Sequence, residues 1–142
     1  MVIDLPFSDW FKFEDYKKHK NRKFPGVYIL AHFDDELCTS NELLSDKIVY
    51  IGETTTQTIH KRLYQFSNSA FKRKIGHSGG WTYSEKYLNS LVVNAVPKNL
   101  YVSFLSVNKE KNESKAYIKY IERLLIWEYF KKFKDYPPCN KA

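Results

Sequence analysis

Three short apolar runs predict the strands of this chain. They cover residues 26–30, 48–54 and 100–107, and each contains β-branched and aromatic residues, the types that favour strands. Helical spacing of apolar residues follows the second and third runs. We therefore expect an α+β fold, in which a small three-stranded antiparallel sheet is flanked by helices.

The first two runs each place a tyrosine among aliphatic residues. Side chains alternate between the faces of a strand, so Tyr50 is expected on the face opposite to Val49 and Ile51. Tyr28 is similarly expected opposite its two neighbours. If the strands pair antiparallel, both tyrosines can lie on one side of the sheet.

Helices are predicted where apolar residues recur every three or four positions. Thr54 or Thr55 is expected to cap a helix that has Ile59, Leu63 and Phe66 on its apolar side. Two later helices are expected at residues 84–94 and 114–133.

The chain ahead of the first strand is interpreted as an extension, residues 1–25, of a domain that spans 26–142. Ser8 is expected to cap a helix at about residues 9–19. The basic run at 17–23 then reads either as a solvated linker or as a contact to phosphate groups.

Composition and charge favour a polyanionic partner. The 142 residues carry a formal net charge of +7, with 43% hydrophobic and 17% aromatic residues, as in a basic globular domain that binds nucleic acid. Cys38 and Cys139 are far apart in sequence, which favours a reduced, cytoplasmic protein. No apolar run is long enough to span a membrane.

Glu128 is the carboxylate expected at the centre of the apolar side of the last helix. With Tyr117 as origin and about 100° per residue, Glu128 falls near Ile121 in the middle of that side, whereas Glu122 falls at its edge. A buried carboxylate is costly unless it is paired or bound to metal. A salt bridge, for example to Arg62, and a divalent-cation site both remain open.

The tripeptides at residues 26–28 and 50–52 resemble the signature of the GIY-YIG nuclease superfamily. Members place an arginine on the helix after the second tripeptide, a metal-binding glutamate on a later helix and an asparagine beyond it. Arg62, Glu128 and Asn140 stand at the matching places. The resemblance therefore extends over nearly the whole chain.

This resemblance implies a metal-dependent endonuclease that hydrolyses DNA phosphodiester bonds with Mg²⁺ or Mn²⁺. Glu128 would hold the metal ion. Tyr28 would activate the attacking water and Tyr50 would position it. Arg62 would stabilise charge on the phosphate, and Asn140 would position the glutamate helix or a phosphate.

Phe66 departs from the family pattern, because many members have a histidine or tyrosine four residues after the arginine. His77, in a glycine-rich part of an insertion at about 67–98, is expected to take over that role. The alternative is a catalytically impaired nucleic-acid-binding module that retains the nuclease fold, and RNA stays an alternative to DNA. The candidate nucleic-acid contacts are Lys18, Arg22, Gly52, Lys72, Arg73 and Lys74.

Overall fold

A four-stranded antiparallel sheet organises the computed structural model, which describes residues 5–34 and 43–141. The strands are β1 (Phe11–Lys12), β2 (Gly26–His32), β3 (Ile48–Thr54) and β4 (Leu100–Ser106), in the spatial order β1-β4-β2-β3. The three predicted strands and their antiparallel pairing are confirmed. The predicted number of strands is wrong, because the two residues of β1 are too few to show a pattern but pair with β4.

A β-bulge in β3 changes which residues share a face. Between Ile48 and Tyr50 the partner strand advances by a single residue, so Val49 is left without a partner of its own. Val49 packs in the same cluster as Tyr28, whereas Ile51 packs on the opposite side of the sheet. The prediction that Val49 and Ile51 share a face is wrong, and the prediction that the two tyrosines share one is confirmed.

The helices are α1 (Ile59–Lys72), α2 (Ser78–Tyr87) and α3 (Lys111–Phe133). Thr58 caps α1 by accepting a hydrogen bond from the N–H of Lys61, 3.1 Å away, so the predicted caps Thr54 and Thr55 are wrong. Thr54 instead bonds the backbone of Gln57. No helix in the described residues is both long and apolar enough to cross a membrane.

Helix α2 begins earlier than the predicted helix at 84–94, within the glycine-rich segment. His77 caps it, since its side chain accepts a hydrogen bond from the N–H of Gly80. Gly79 and Gly80 lie in its first turn and are buried against neighbouring elements. The glycine-rich part of the insertion is therefore the start of a helix.

The segment before β2 forms short 3-10 helices at Phe13–Lys18 and Lys20–Lys23 instead of the predicted helix at 9–19. Ser8 does not cap it: its hydroxyl accepts a hydrogen bond from the N–H of Phe104 in β4, at 3.0 Å. Phe13 and Tyr16 are buried in the core. Side chains from this segment therefore complete the core over the tyrosine face of the sheet.

The core has two layers, one on each face of the sheet. Helices α1 and α2 cover the tyrosine face, and α3 covers the other. The buried residues of the second layer are aliphatic except for Tyr129, and they include Val27, Ile29, Ile51, Ile118, Ile121 and Leu125.

The C-terminal tail closes the outer edge of β3. The N–H of Cys139 bonds the carbonyl of Val49, at 2.8 Å. The Asn140 side chain then accepts a hydrogen bond from the N–H of Ile51 and donates one to its carbonyl, both at 2.8 Å. The Cys139 thiol is free and buried, and Cys38 lies outside the described residues.

We expect Asn140→Ala to lower the free energy of unfolding by about 1–3 kcal/mol, because two backbone groups of Ile51 lose their partners. Urea denaturation measures this change. Lys141→Ala is the matched control, since Lys141 is the exposed neighbour of Asn140. Equal stability of the two variants would show that water replaces the amide at no cost.

Candidate functional site

Two glycines make room for the paired tyrosine rings. A Cβ atom at Gly52 would lie 2.5 Å from Cε2 of Tyr50 and 2.6 Å from Cζ of Tyr28, and one at Gly79 would lie 2.5 Å from Cε1 of Tyr50. Real side chains do not tolerate contacts this short. The ring of Tyr50 is therefore held between β3 and the first turn of α2.

His77 joins the cap of α2 to Tyr28. Its Nε2 lies 2.8 Å from the Tyr28 hydroxyl, and its Nδ1 accepts the N–H of Gly80 at 3.1 Å. Because Nδ1 accepts, the neutral ring carries its proton on Nε2 and donates to Tyr28. The N–H of His77 is bound in turn by the hydroxyl of Ser69. His77 is thus fixed in place and in tautomer.

Burial keeps His77 and both tyrosines uncharged at neutral pH. It lowers the pKa of His77 to about 3, an effect that the Arg62 charge reinforces. It raises the pKa of Tyr50 to about 12 and that of Tyr28 well above its ordinary value, although Arg62 opposes both increases. Neither tyrosine is a phenolate in the unliganded site.

The two tyrosines lie close together, with their ring centroids 6.0 Å apart. Tyr50 adds to the increase in the pKa of Tyr28, whereas Tyr28 lowers the pKa of Tyr50. Tyr28 is 0% exposed, whereas Tyr50 is partly exposed. The site therefore extends from the buried His77 and Tyr28 to Tyr50 at the surface.

Arg62 lies at this site, as the resemblance implies. Its guanidinium donates to the side-chain oxygen of Gln65 at 2.7 Å and to the carbonyl of Gly76 at 3.1 Å. Its charge lowers the pKa of both Tyr28 and Tyr50. One cation therefore connects the tyrosine pair with the segment that precedes α2.

Glu122 is the glutamate of α3 whose charge acts on Tyr50, although α3 packs on the other face of the sheet. The negative charges of Glu122 and Glu53 both contribute to the raised pKa of Tyr50. Burial raises the pKa of Glu122, and the charge of Glu53 adds to this increase. Among the described residues, Oε2 of Glu53 is buried without a hydrogen-bond partner. Two carboxylates thus lie near each other at the edge of the site.

Glu128 is buried, as predicted, but it is paired with a lysine. Its Oε2 lies 2.6 Å from Nζ of Lys131, and the side chain is 7% exposed. The pairing satisfies the salt-bridge alternative left open above, with Lys131 in place of Arg62. Glu128 as a metal ligand stays a prediction.

The position of the apolar stripe on α3 explains why the surroundings of Glu122 and Glu128 differ from the prediction. The buried residues include Ile118 and Leu125, which shift the centre of the stripe away from Tyr117. On a helix of about 100° per residue, Glu122 and Glu128 lie about 60° to either side of that centre. Ile118 and Leu125, four residues before and three after Glu122, were the signal that could have identified it.

Phe66 and Asn140 differ in how they relate to the site. Phe66 is fully buried, and its ring centroid lies 5.3 Å from that of His77. Asn140 reaches the site only through the backbone of Ile51, between Tyr50 and Gly52.

The predicted nucleic-acid contacts occupy two surfaces. Arg22 is engaged internally, with His60 and the carbonyl of His19, and Lys18 pairs with Asp15. Lys72 and Lys74 are exposed at the end of α1. Arg73 lies 3.6 Å above the ring of Trp81, so its guanidinium is held in place.

Comparisons with models of known protein families, with curated proteins and with solved structures found no match. Within residues 5–34 and 43–141, no group of three or more His, Cys, Asp or Glu side chains is placed to hold a metal ion. The pair formed by Glu53 and Glu122 remains a candidate metal site, because Mg²⁺ commonly binds through one or two carboxylates together with substrate phosphates.

We expect the His77 ring to stay neutral throughout the pH range 5–8, because its folded pKa of about 3 lies far below its unfolded value. The unfolded chain then binds the extra proton, so stability falls as the pH drops below the unfolded pKa of about 6.5, by up to about 1.4 kcal/mol per pH unit. Urea denaturation at several pH values, with His77→Asn as the control, measures this contribution. Asparagine also caps helices but does not titrate. The same pH dependence in both proteins would contradict the assignment.

Proposed function

We propose that this protein is a metal-dependent endonuclease of the GIY-YIG type, which hydrolyses phosphodiester bonds in DNA. The observation that supports it is the assembly of Tyr28, Tyr50, Arg62 and His77 in one site on one face of the sheet. The chain segments that supply them are separated in sequence. A core that needed only bulk would not require a buried tyrosine hydroxyl bonded to a buried imidazole, with a guanidinium beside them.

Glu122 and Glu53 are the residues that would hold the metal. The orphaned Oε2 of Glu53 and the raised pKa of Glu122 fit a cation, because a divalent ion would relieve the repulsion between the carboxylates and supply the missing partner. A bound Mg²⁺ or Mn²⁺ would neutralise charge on the phosphate oxygens. Glu128 already has a cationic partner in Lys131, so Glu122 is the better candidate.

The side chains of the site suit the binding and orientation of a phosphate. Tyr50 is the partly exposed tyrosine of the site and can hold the attacking water. Arg62 can contact a phosphate oxygen and favours deprotonation of either phenol. Tyr28 and His77, both buried, orient Tyr50 from beneath, so the role of Tyr28 is that of positioning in this conformation.

A basic surface beside the site favours a nucleic acid as substrate. Lys17 and Lys72, from segments far apart in sequence, line one groove of about 240 Å³. Lys141 lines a second groove with Trp81, Arg73 stacks on the ring of Trp81, and Lys74 is exposed next to Ile75. Such a surface can follow a phosphate backbone. DNA is the proposed substrate, and RNA is the alternative.

The second candidate function is nucleic-acid binding without cleavage. It is favoured by the complete burial of Tyr28 and by the raised pKa of both phenols, which make activation of water difficult. Plasmid nicking with Mg²⁺, with Mn²⁺ and with EDTA separates the two functions. Binding of DNA without nicking under all three conditions would favour the second.

We expect Glu122→Gln to reduce the nicking rate by at least about 100-fold, because one of two proposed metal ligands loses its charge. Glu128→Gln is the matched control, on the same helix and equally conservative, and should retain most of the activity. Single-turnover nicking at saturating Mg²⁺ measures both rates. The reverse result would return the metal site to Glu128.

We expect the double variant Lys72→Ala, Lys74→Ala to weaken DNA binding and to reduce the slope of log K against log salt by roughly two units, one per lost phosphate contact. Lys109→Ala, Lys111→Ala, at the start of α3, is the control with the same charge change. Binding titrations at several salt concentrations give the slopes. An equal change of slope in the two double variants would indicate that DNA binding depends on net charge and not on contacts made by Lys72 and Lys74.

A further inference from the structure

An isoleucine stands almost fully exposed beside the site. Ile75 is 96% exposed, in the turn between the end of α1 and the cap of α2. Other exposed apolar residues of the chain are less extreme; Leu91, for example, is 62% exposed. A single exposed aliphatic residue is common on protein surfaces; Ile75 is distinguished by the constrained turn that carries it and by the cations near it.

The turn that carries Ile75 is held at both ends. Arg73 closes α1 with φ 54, and the N–H of Lys74 bonds the carbonyl of Asn68. On the other side, the carbonyl of Gly76 accepts a hydrogen bond from Arg62. Ile75 is therefore presented on a constrained turn that is connected directly to an arginine of the site.

Cations surround this apolar tip. Lys74 is its neighbour in sequence, and Arg73 is fixed against Trp81. Ile75, Trp81 and Lys141 also line one groove of about 490 Å³. The combination of a basic rim and a protruding aliphatic residue matches proteins that insert an apolar wedge between base pairs of duplex DNA and contact its phosphates on either side.

We propose that Ile75 is a wedge that unstacks one base step of a duplex, next to the phosphate that enters the site. The inference rests on the proposed function for the location of that phosphate. It defines the substrate class as duplex DNA that is deformable at the contact point. Pyrimidine–purine steps are the easiest to unstack, so they are preferred even though Ile75 makes no hydrogen bond to a base.

The test uses the full chain in EDTA, so that no cleavage occurs, with duplexes that carry 2-aminopurine at one central step. Wild-type protein should raise the fluorescence severalfold, because an inserted side chain unstacks the reporting base. Ile75→Ala should lose most of this increase but keep the salt dependence of binding. Leu91→Ala, an equally small change at another exposed site, should behave as wild type.

A second arm compares duplexes that differ only at the central step. Wild type should bind the TA duplex about three- to tenfold more tightly than the AA duplex, and Ile75→Ala should abolish this preference. Unchanged fluorescence on binding, tighter binding of single strands, or no binding at all would overturn the wedge. Nicking without unstacking would reject the wedge alone, whereas unstacking without nicking would reject the proposed hydrolysis alone.

Discussion

The structure depends on a steric constraint: two tyrosine rings occupy space that any side chain at Gly52 or Gly79 would fill. The constraint links β3, which supplies Tyr50 and Gly52, to the first turn of α2. His77 caps that turn and also forms a hydrogen bond with the Tyr28 hydroxyl. The sheet, the first turn of α2 and the two tyrosines are therefore packed as one unit. A change in any one of them shifts the other two.

This arrangement explains why burial controls the chemistry of the site. Removal from water, more than any single charge, raises the pKa of both tyrosines and lowers that of His77. Arg62 opposes the shift at the tyrosines but enlarges it at the histidine. A phosphate and a metal ion would change this balance, because their charges would act within the same poorly solvated space.

The sequence predicted the strands well, because 26–30, 48–54 and 100–107 have the composition of strands regardless of context. It predicted neither β1 nor the bulge at Val49, since these depend on pairing between distant segments. The start of α2 was missed because Gly79 and Gly80 weaken a helical pattern; close packing at that turn overrides their low propensity. Glu122 was placed at the edge of the apolar stripe because the stripe was centred on Tyr117.

The tail at Cys139 and Asn140 limits how copies of this chain can associate through the edge of the sheet. As an outer strand, β3 would offer its free backbone groups to a strand from another molecule, a common route to aggregation. The amide of Asn140 occupies the N–H and carbonyl of Ile51, and Cys139 occupies the carbonyl of Val49. A residue that the family resemblance associates with activity therefore also shields the sheet against self-association.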